Sequence, residues 1–310
     1  MKITALAGGV GGAKLAQGLA KVLNPDDLVI IVNTGDDFQY LGFHISPDVD
    51  TVCYTLAGWA NDSTGWGLRD ETFNVFKMIH QLNGPDWFKL GDKDLATHII
   101  RTQRLNEGES LTKVTLDLCF TWGIDHKILP MSDDPVRTMV DTVEDGLMPF
   151  QEYFVKNHFL PQVKGFYFQG IETALPTQEV MEAIKASDAV VICPSNPFVS
   201  IDPILALKGI KSILKEKYVL AVSPIVGSNA IKGPLAKMFK ELNINPSIKA
   251  IADHYGDLLD CLFIDTSDLD EDSLKDRSSI ILNVSDIIIP DLESRKKLAS
   301  EIVNFLMKKV

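Results

Sequence analysis

Apolar runs recur along the chain, and most of them end in a loop rich in glycine, serine, asparagine or aspartate. Residues 28–33, 189–193 and 218–222 form nearly continuous apolar runs, which are typical of strands buried on both faces of a parallel sheet. A shorter run at residues 2–7 leads into a cluster of glycines. Further strands are predicted at residues 126–130, 136–142, 163–168, 261–264 and 280–283. The pattern predicts an α/β fold, with a Rossmann-like, mostly parallel sheet and helices on both faces.

Between these runs, apolar residues recur three or four positions apart, as they do on one face of a helix. Helices are predicted at residues 12–23, 51–57, 92–104, 111–122, 177–185 and 292–308, with a short helix or turn at 150–156. The predicted N-caps are Asp48 or Asp50 for helix 51–57, Asp70 for a helix that carries Phe73 and Phe76, Ser110 for helix 111–122 and Thr177 for the helix that ends at Lys185.

The segment 50–123 is mostly helical and follows only two predicted strands. A simple series of strand–helix–strand units would not contain so long a helical stretch. We therefore expect a single α/β domain at residues 1–310, with a helical lobe at residues 50–123 inserted after the second strand.

The glycine-rich stretch after the first strand predicts a phosphate-binding turn. It comprises Gly9, Val10, Gly11 and Gly12, and Lys14 adds a positive charge one turn into the following helix. Glycines let the backbone approach a ligand closely, and the first amides of a helix have no partner within that helix. The stretch matches neither the dinucleotide fingerprint nor a Walker A loop. A tight strand-to-helix turn without a ligand is therefore the alternative.

The net charge of −12 changes how the aspartates are interpreted. An acidic protein that binds a phosphorylated ligand needs a counter-charge, and Mg²⁺ held by one or two carboxylates is the usual solution. Asp36, Asp37, Asp48 and Asp50 lie at a strand end and a helix start. We expect some of the four to bind Mg²⁺. Alternatively, the first two form only a turn and the last two only cap a helix.

Polar residues also follow two later strands, and a lysine lies beside aromatic residues. Ser195, Asn196 and Ser223 offer hydroxyl, amide and backbone N–H groups to a phosphate or a base edge, or form plain turns between prolines. Lys89, close to Trp87, is a candidate to hold a planar anionic ligand by charge and stacking. A solvated loop lysine is the simpler interpretation of that position.

Composition argues against several classes of protein. The four cysteines are scattered without a C-x-x-C pair, which argues against a disulfide framework or structural zinc site and fits a reducing cytoplasm. No apolar run reaches the roughly 18 residues that a membrane span needs, and the N-terminus shows no signal peptide. The chain has no long Lys/Arg run. We therefore expect neither a nucleic-acid nor a membrane partner.

Seven short motifs, taken together, carry a resemblance to a known family. They are Gly8-Gly9-Val10-Gly11-Gly12-Ala13-Lys14, Asn33-Thr34-Gly35-Asp36-Asp37, Pro47-Asp48-Val49-Asp50-Thr51, Gly65-Trp66-Gly67-Leu68-Arg69-Asp70-Glu71-Thr72, Pro149-Phe150-Gln151-Glu152-Tyr153-Phe154-Val155, Pro194-Ser195-Asn196-Pro197 and Ser223-Pro224-Ile225-Val226-Gly227. As a set, they resemble the 2-phospho-L-lactate transferase family of coenzyme F-420 biosynthesis, as found in methanogenic archaea.

The resemblance implies a reaction, a metal and an assembly. The enzyme would transfer the phospholactyl group of lactyl-diphospho-guanosine to the terminal ribityl hydroxyl of the deazaflavin alcohol Fo. The products would be GMP and F-420 without glutamates, and some relatives use an enolpyruvyl donor instead. Family members need Mg²⁺ and tend to form homodimers.

The resemblance also implies roles for individual residues. It places Fo near Asp50 and Lys89, with Trp87 beside them, and the guanosine diphosphate along the glycine loop and the Ser195–Asn196 loop. Asp36, Asp37 and Asp50 are then candidate Mg²⁺ ligands. Asp50 is also a candidate base for the attacking hydroxyl, and the two roles compete.

Two other functions are weighed against this transferase. A nucleotide-sugar or nucleotide-binding regulatory protein of a related family would share the glycine loop and the Asp pair but need no acceptor pocket. The segment Gly65–Asp70 and the Asp48–Asp50 loop favour the transferase over it. A nicotinamide oxidoreductase is disfavoured because Lys14 replaces the third small residue of the fingerprint.

Overall fold

A computed structural model of the chain describes residues 1–61, 64–227, 229–230, 233–268 and 280–310. The strands are β1 (Ile3–Ala7), β2 (Leu28–Val32), β3 (Phe38–Tyr40), β4 (Phe43–Ile45), β5 (Lys127–Pro130), β6 (Arg137–Thr142), β7 (Gly146–Pro149), β8 (Val163–Gln169), β9 (Ala189–Ile192), β10 (Tyr218–Val222), β11 (Ile225–Val226), β12 (Asn229–Ala230), β13 (Cys261–Asp265) and β14 (Ile281–Ser285). The helices are α1 (Gly9–Val22), α2 (Pro47–Leu56), α3 (Asn74–Gln81), α4 (Asp92–Asn106), α5 (Leu111–Thr121), α6 (Gln178–Ala186), α7 (Asp202–Ala206), α8 (Ile210–Leu214), α9 (Leu235–Glu241), α10 (Ile248–Tyr255) and α11 (Leu292–Leu306).

Within the described residues, seven strands form one parallel sheet in the order β14-β13-β10-β9-β1-β2-β5. The chain runs outward from β1 through β2 to β5 and then returns to the other side of β1 at β9. The strand order therefore reverses between β1 and β9, and ligands of such sheets bind in the crevice outside the strand ends at this point. The predicted Rossmann-like parallel sheet is confirmed.

The sheet is buried on both faces, which explains the continuous apolar runs. On β1, Ala5 packs into the cluster that contains α1 and α11, whereas Leu6 packs into the cluster on the opposite face. Val190 and Val191 of β9 divide between the two clusters in the same way. Because successive side chains of a strand point to opposite faces, a strand covered on both sides needs apolar residues at every position.

Some predicted strands belong to a different sheet, and several other elements were missed. Strands β6 and β8, predicted near their observed positions, belong to a separate antiparallel sheet in the order β7-β6-β8 and not to the main sheet. The β3–β4 hairpin, α9 and α10 were missed. The hairpin strands have only three residues each, which is too short for an alternating pattern to be recognised.

The segment between β2 and β5 contains the β3–β4 hairpin followed by α2, α3, α4 and α5. It includes the predicted lobe at residues 50–123, of which residues 62 and 63 lie outside the described part of the chain. In the described ranges, no helix combines the length and the apolar character needed to cross a membrane.

Two helices begin earlier than predicted. Helix α1 starts at Gly9, because the glycines themselves form its first turn. Helix α2 starts at Pro47, with Ser46 in the N-cap position, so the predicted capping by Asp48 or Asp50 is wrong. Proline is well suited to the first helical position because its missing N–H would have had no partner there. Both aspartates therefore lie in the first turn of α2.

The remaining predicted caps had mixed outcomes. Ser110 and Thr177 accept backbone hydrogen bonds at the starts of α5 and α6, as predicted. Asp70 does not cap α3, whose first amides at Asn74 and Val75 donate to the Asp92 carboxylate. A distant carboxylate has replaced the local one, which a pattern in the sequence does not reveal.

Helix α1 crosses the C-terminal helix α11 at very close range. A Cβ added at Gly18 of α1 would lie 2.3 Å from the backbone oxygen of Arg295. The Arg295 side chain is buried and donates to Gln17 Oε1 at 2.6 Å. This contact sets the position of α1 and therefore of the loop that precedes it.

We expect Gly18→Ala to destabilise the protein by about 1–3 kcal/mol in urea unfolding, because the added methyl group has no space. Without that contact, alanine would favour the helix by about 1 kcal/mol. Gly165→Ala in β8 is the control, since nothing lies within 4 Å of its added Cβ. A more stable Gly18→Ala variant would contradict the close crossing.

Candidate active site

The glycine loop lies at the switch point and is packed against the loop that follows β9. A Cβ at Gly11 would lie 2.3 Å from Pro194 O, and one at Gly12 would lie 2.4 Å from Ser195 Oγ. Gly9 has a φ of +60°, which disfavours residues with a side chain. These glycines are therefore required for the two loops to meet.

Ser195 joins the two loops directly. Its hydroxyl donates to Gly8 O at 2.8 Å and accepts from Gly8 N at 3.1 Å. Asn196 Oδ1 accepts from Phe198 N at 3.0 Å and so opens the π-helical turn Pro197–Ile201. Sequence-predicted residues of two distant motifs thus share one side of the crevice.

Asp48 ties the first turn of α2 to the glycine loop. Its Oδ1 accepts from Gly9 N at 2.7 Å, and its Oδ2 accepts from Asn33 Nδ2 at 2.9 Å. Asn33 in turn accepts from Gly35 N at 2.8 Å and donates to Val199 O at 3.1 Å. One carboxylate therefore fixes three segments around the end of β2.

The carboxylates beside this junction are electrostatically frustrated. Burial raises the pKa of Asp48 to about 6, and the nearby charge of Asp37 adds to the effect. Burial also raises the pKa of Asp36 well above its usual range, and the charges of Asp48 and Asp37 raise it further. Three carboxyl groups, those of Asp36, Asp37 and Asp48, are therefore buried close together here.

Asp37 uses only one of its two carboxylate oxygens. Oδ2 accepts from Ser46 Oγ at 2.8 Å and lies 2.9 Å from His44 Nε2. In the described part of the chain, Oδ1 of Asp37 and Oδ1 of Asp36 are buried without a hydrogen-bond partner. Buried polar atoms normally have partners, so these two oxygens are available to accept a further ligand.

Asp50 lies in a different environment from Asp48. Both of its oxygens accept from Arg101 of α4, with Nη1 at 3.0 Å from Oδ2. Burial acts against the charge of Arg101, but the Asp50 carboxylate outweighs this effect and raises the pKa of Arg101. His98 Nδ1 is 3.8 Å from Asp50 Oδ2, and Tyr54 OH donates to Asp94 at 2.7 Å.

Asp94, His98 and Arg101 were missed from the sequence. They occupy positions i, i+4 and i+7 of α4 and therefore share one face of that helix. A charged stripe at this spacing was the available signal. Such stripes usually face solvent, whereas His98 and Arg101 are each 1% exposed.

Two groups of side chains in this region contain possible ligands for Mg²⁺. Asp50, Asp94 and His98 place ligand atoms within 4.8 Å of one another, but the Arg101 guanidinium already supplies the positive charge there. Asp36 and Asp48 offer hard oxygen ligands, and burial raises the pKa of both carboxyl groups. Oδ1 of Asp36 is buried without a hydrogen-bond partner in the described part of the chain. Their chemistry suits Mg²⁺, which prefers one or two carboxylates together with phosphate oxygens and water.

The other predicted residues lie around this centre. Lys14 is half-buried in the second turn of α1. Ser223, at the end of β10, accepts from Ile225 N and donates to Ile225 O, and so closes its own turn. The predicted ligand-binding roles of Lys14 and Ser223 stay predictions.

Lys89 and Trp87 belong to an aromatic region of the helical segment. Trp87 packs edge-on against Tyr40 at 5.2 Å between ring centroids and lies close to Phe38. The Lys89 ammonium lies 3.9 Å from the centre of the Phe73 ring and not over Trp87. Their predicted contact with a planar ligand stays a prediction.

Comparison with known proteins gives one consistent result. The model of the family "2-phospho-L-lactate transferase CofD" matches residues 3–306. A 2-phospho-L-lactate transferase of Methanosarcina acetivorans is 38% identical, with 96% of this chain and 97% of the relative covered. The relative of that name from Methanocaldococcus jannaschii is 39% identical and covers 98% and 97%. A phosphoenolpyruvate transferase of Streptomyces griseus is 40% identical and covers 97% of each chain.

A solved structure shares the fold. The crystal structure of a UPF0052 family member from Bacillus halodurans has a TM-score of 0.67 at 15% identity, covering 97% of this chain and 98% of that one. The sequence matches span nearly the whole chain and include the glycine loop and all the carboxylates described above. The chain belongs to the 2-phospho-L-lactate transferase CofD family.

Proposed function

We propose that this protein transfers the phospholactyl group of lactyl-diphospho-guanosine to the terminal ribityl hydroxyl of the deazaflavin alcohol Fo. The hydroxyl oxygen forms a bond to the phosphorus that carries the lactate, the bond from that phosphorus to GMP breaks, and the hydroxyl proton is released. The observation that carries the proposal is the meeting of the glycine loop with Asp36 and Asp48 at the switch point of the sheet. Membership of the family supports it.

The donor would lie along the glycine loop and the Ser195–Asn196 loop. The first turn of α1 directs backbone N–H groups and the positive end of the helix dipole at this position, which stabilises phosphate oxygens. Ser195 holds the two loops together, so the amides are already in place before a ligand arrives. Lys14 adds positive charge near the same helix end.

Mg²⁺ would be held by Asp36 and Asp48, with Asp37 beside them. This set replaces Asp50 in the predicted trio by Asp48, because the donor to both Asp50 oxygens is the positively charged Arg101, whereas the donors to Asp48 are the neutral amides of Gly9 and Asn33. When bound, Mg²⁺ would neutralise the pyrophosphate and the charge that develops on the leaving GMP.

The acceptor would lie beside α2 and α4, with its ribityl chain at Asp50 and its ring reaching Lys89 and Trp87. Asp48 and Asp50 both belong to the first turn of α2 and leave it in different directions, so the metal and the acceptor would lie on different sides of that turn. We assign Asp50 as the hydrogen-bond acceptor for the ribityl hydroxyl, and Lys89 and Trp87 as contacts for the deazaflavin ring. A carboxylate at this position can also accept the hydroxyl proton as it is released.

We also propose that the protein acts as a homodimer. Large apolar side chains are exposed on α4 and α5, with Ile100 at 45% and Phe120 at 86% exposure. Exposed apolar patches of this kind mark interaction surfaces in many soluble proteins.

The first prediction concerns the reaction itself. Protein incubated with Fo, lactyl-diphospho-guanosine and Mg²⁺ is expected to release GMP and convert Fo into a more acidic fluorescent product, and chelation by EDTA is expected to stop both. A parallel reaction with the enolpyruvyl donor tests the chemistry named for the Streptomyces griseus relative. Failure to release GMP from either donor would contradict the proposal.

The second prediction concerns the metal ligands. Asp36→Asn and Asp48→Asn are each expected to lower turnover by about 100-fold or more, and to raise the Mg²⁺ concentration needed for half-maximal rate. Both measurements come from GMP release in a Mg²⁺ titration. Asp125→Asn is the matched control, because Asp125 precedes β5 at the amino end of the sheet, away from the crevice. Unchanged Mg²⁺ dependence in both variants would contradict the assignment.

The third prediction concerns the deazaflavin ring. Lys89→Met is expected to weaken Fo binding by about 10-fold, as measured through Fo fluorescence, because an ammonium group near the ring is lost. Lys127→Met is the control, since Lys127 is the first residue of β5 and therefore lies at the amino ends of the parallel strands, away from the crevice. Equal Fo affinity in the two variants would end the assignment of Lys89.

A further inference from the structure

Helix α4 presents a chain of polar side chains to the start of α2. Arg101 donates to both oxygens of Asp50, through Nη1 to Oδ2 at 3.0 Å and through Nη2 to Oδ1. A two-point contact between a guanidinium and a carboxylate fixes the plane of the carboxylate as well as its position. The orientation of the Asp50 side chain is therefore set by α4 and not only by its own helix.

Arg101 also contacts His98, and His98 in turn contacts Asp94. His98 Nδ1 lies 3.3 Å from Arg101 Nη1, and His98 Nε2 lies 3.4 Å from Asp94 Oδ1. This arrangement suits a neutral imidazole that accepts at Nδ1 and turns its Nε2–H towards Asp94. Tyr54 OH also donates to Asp94, at 2.7 Å. The sequence of contacts is Asp94, His98, Arg101 and Asp50.

The burial of this chain makes its geometry stiff. Arg101 and His98 are each 1% exposed, and Asp50 is 5% exposed. Removing the Arg101 side chain would leave a buried carboxylate without its partner. Burying an ion pair costs desolvation free energy, and a functional need to orient the Asp50 oxygens would explain why the pair is buried.

We propose that Arg101 is the positioning residue that aims the Asp50 carboxylate at the acceptor hydroxyl, and that His98 keeps Arg101 in place. The inference rests on the proposed function, because it takes Asp50 as the contact for Fo. The two-point contact with Arg101 uses one lone pair of each Asp50 oxygen and fixes the carboxylate plane, so the direction of the lone pair left on each oxygen is also fixed. An alcohol that approaches along one of these directions finds an acceptor already oriented for it.

The test uses two substitutions of Arg101 in the full-length protein. Arg101→Lys keeps the charge but loses the two-point contact, and Arg101→Met loses both. Each is expected to lower kcat/KM for Fo by about 100-fold, while KM for the donor stays within about two-fold. Arg104→Met is the matched control on the same helix, since Arg104 pairs with Glu109 and Asp117 near the surface. It is expected to behave like the wild type.

A double-mutant cycle separates positioning from general stability. If Arg101 acts through Asp50, Arg101→Met combined with Asp50→Asn is expected to lose no more kcat/KM for Fo than Asp50→Asn alone. Losses that multiply would contradict the proposal. If Arg101→Met does not fold, Arg101→Lys provides the test.

A rescue experiment adds guanidinium ion at millimolar concentration to Arg101→Ala. The same addition to Arg101→Lys is the control, because the lysine side chain occupies the position that the ion would take.

Rescue of Arg101→Ala by about 10-fold or more in kcat/KM for Fo supports the proposal, because a free guanidinium can restore the contact. The two hypotheses fail in different ways. A wild-type protein that releases no GMP overturns the proposed function. A wild-type protein that releases GMP, together with an Arg101→Lys variant of unchanged kcat/KM for Fo, overturns only the positioning role.

Discussion

The carboxylate of Asp48 is buried where the glycine loop, the end of β2 and the start of α2 meet, and the rest of the site depends on this contact. Burying a carboxylate is unfavourable unless hydrogen bonds and positive charge compensate it. Gly9 N and Asn33 Nδ2 supply two hydrogen bonds, yet burial still raises the pKa of Asp48 to about 6. The positive end of the α1 dipole offsets part of the negative charge of Asp48, whereas the neighbouring Asp36 adds further negative charge. The proposed Mg²⁺ would resolve this conflict and would also neutralise a bound pyrophosphate.

Two aspartates on one turn of α2 are thereby given different tasks. Asp48 is buried beside other carboxylates, and burial together with the charge of Asp37 raises its pKa, whereas Asp50 is matched by the guanidinium of Arg101. Environments that separate two neighbouring carboxylates in this way are a recurring means of assigning them different chemistry. In this account Asp48 serves the donor and its metal, and Asp50 serves the acceptor. The first turn of α2 joins the two halves of the reaction.

The sequence predicted the part of the architecture that local patterns encode. Continuous apolar runs such as 189–193 identified the buried strands, and the glycines after β1 identified the loop at the switch point. The predicted start of α2 is wrong because Ser46 and Pro47 define the start of the helix. The aspartates that resemble N-caps in the sequence lie inside its first turn. The pairing of Asp50 with Arg101 joins residues 51 positions apart. No spacing rule reveals a contact between two separate helices, so Arg101 could be found only from the fold.

The central claim is that the glycine loop and the carboxylates beside it bind one metal–pyrophosphate unit. Anomalous diffraction from crystals grown with Mn²⁺ and GDP tests it most directly. The account predicts a single strong peak within about 2.5 Å of oxygens of both Asp36 and Asp48 and of the pyrophosphate, with the pyrophosphate at the start of α1. A peak among Asp50, Asp94 and His98, or a pyrophosphate bound away from the glycine loop, would contradict it.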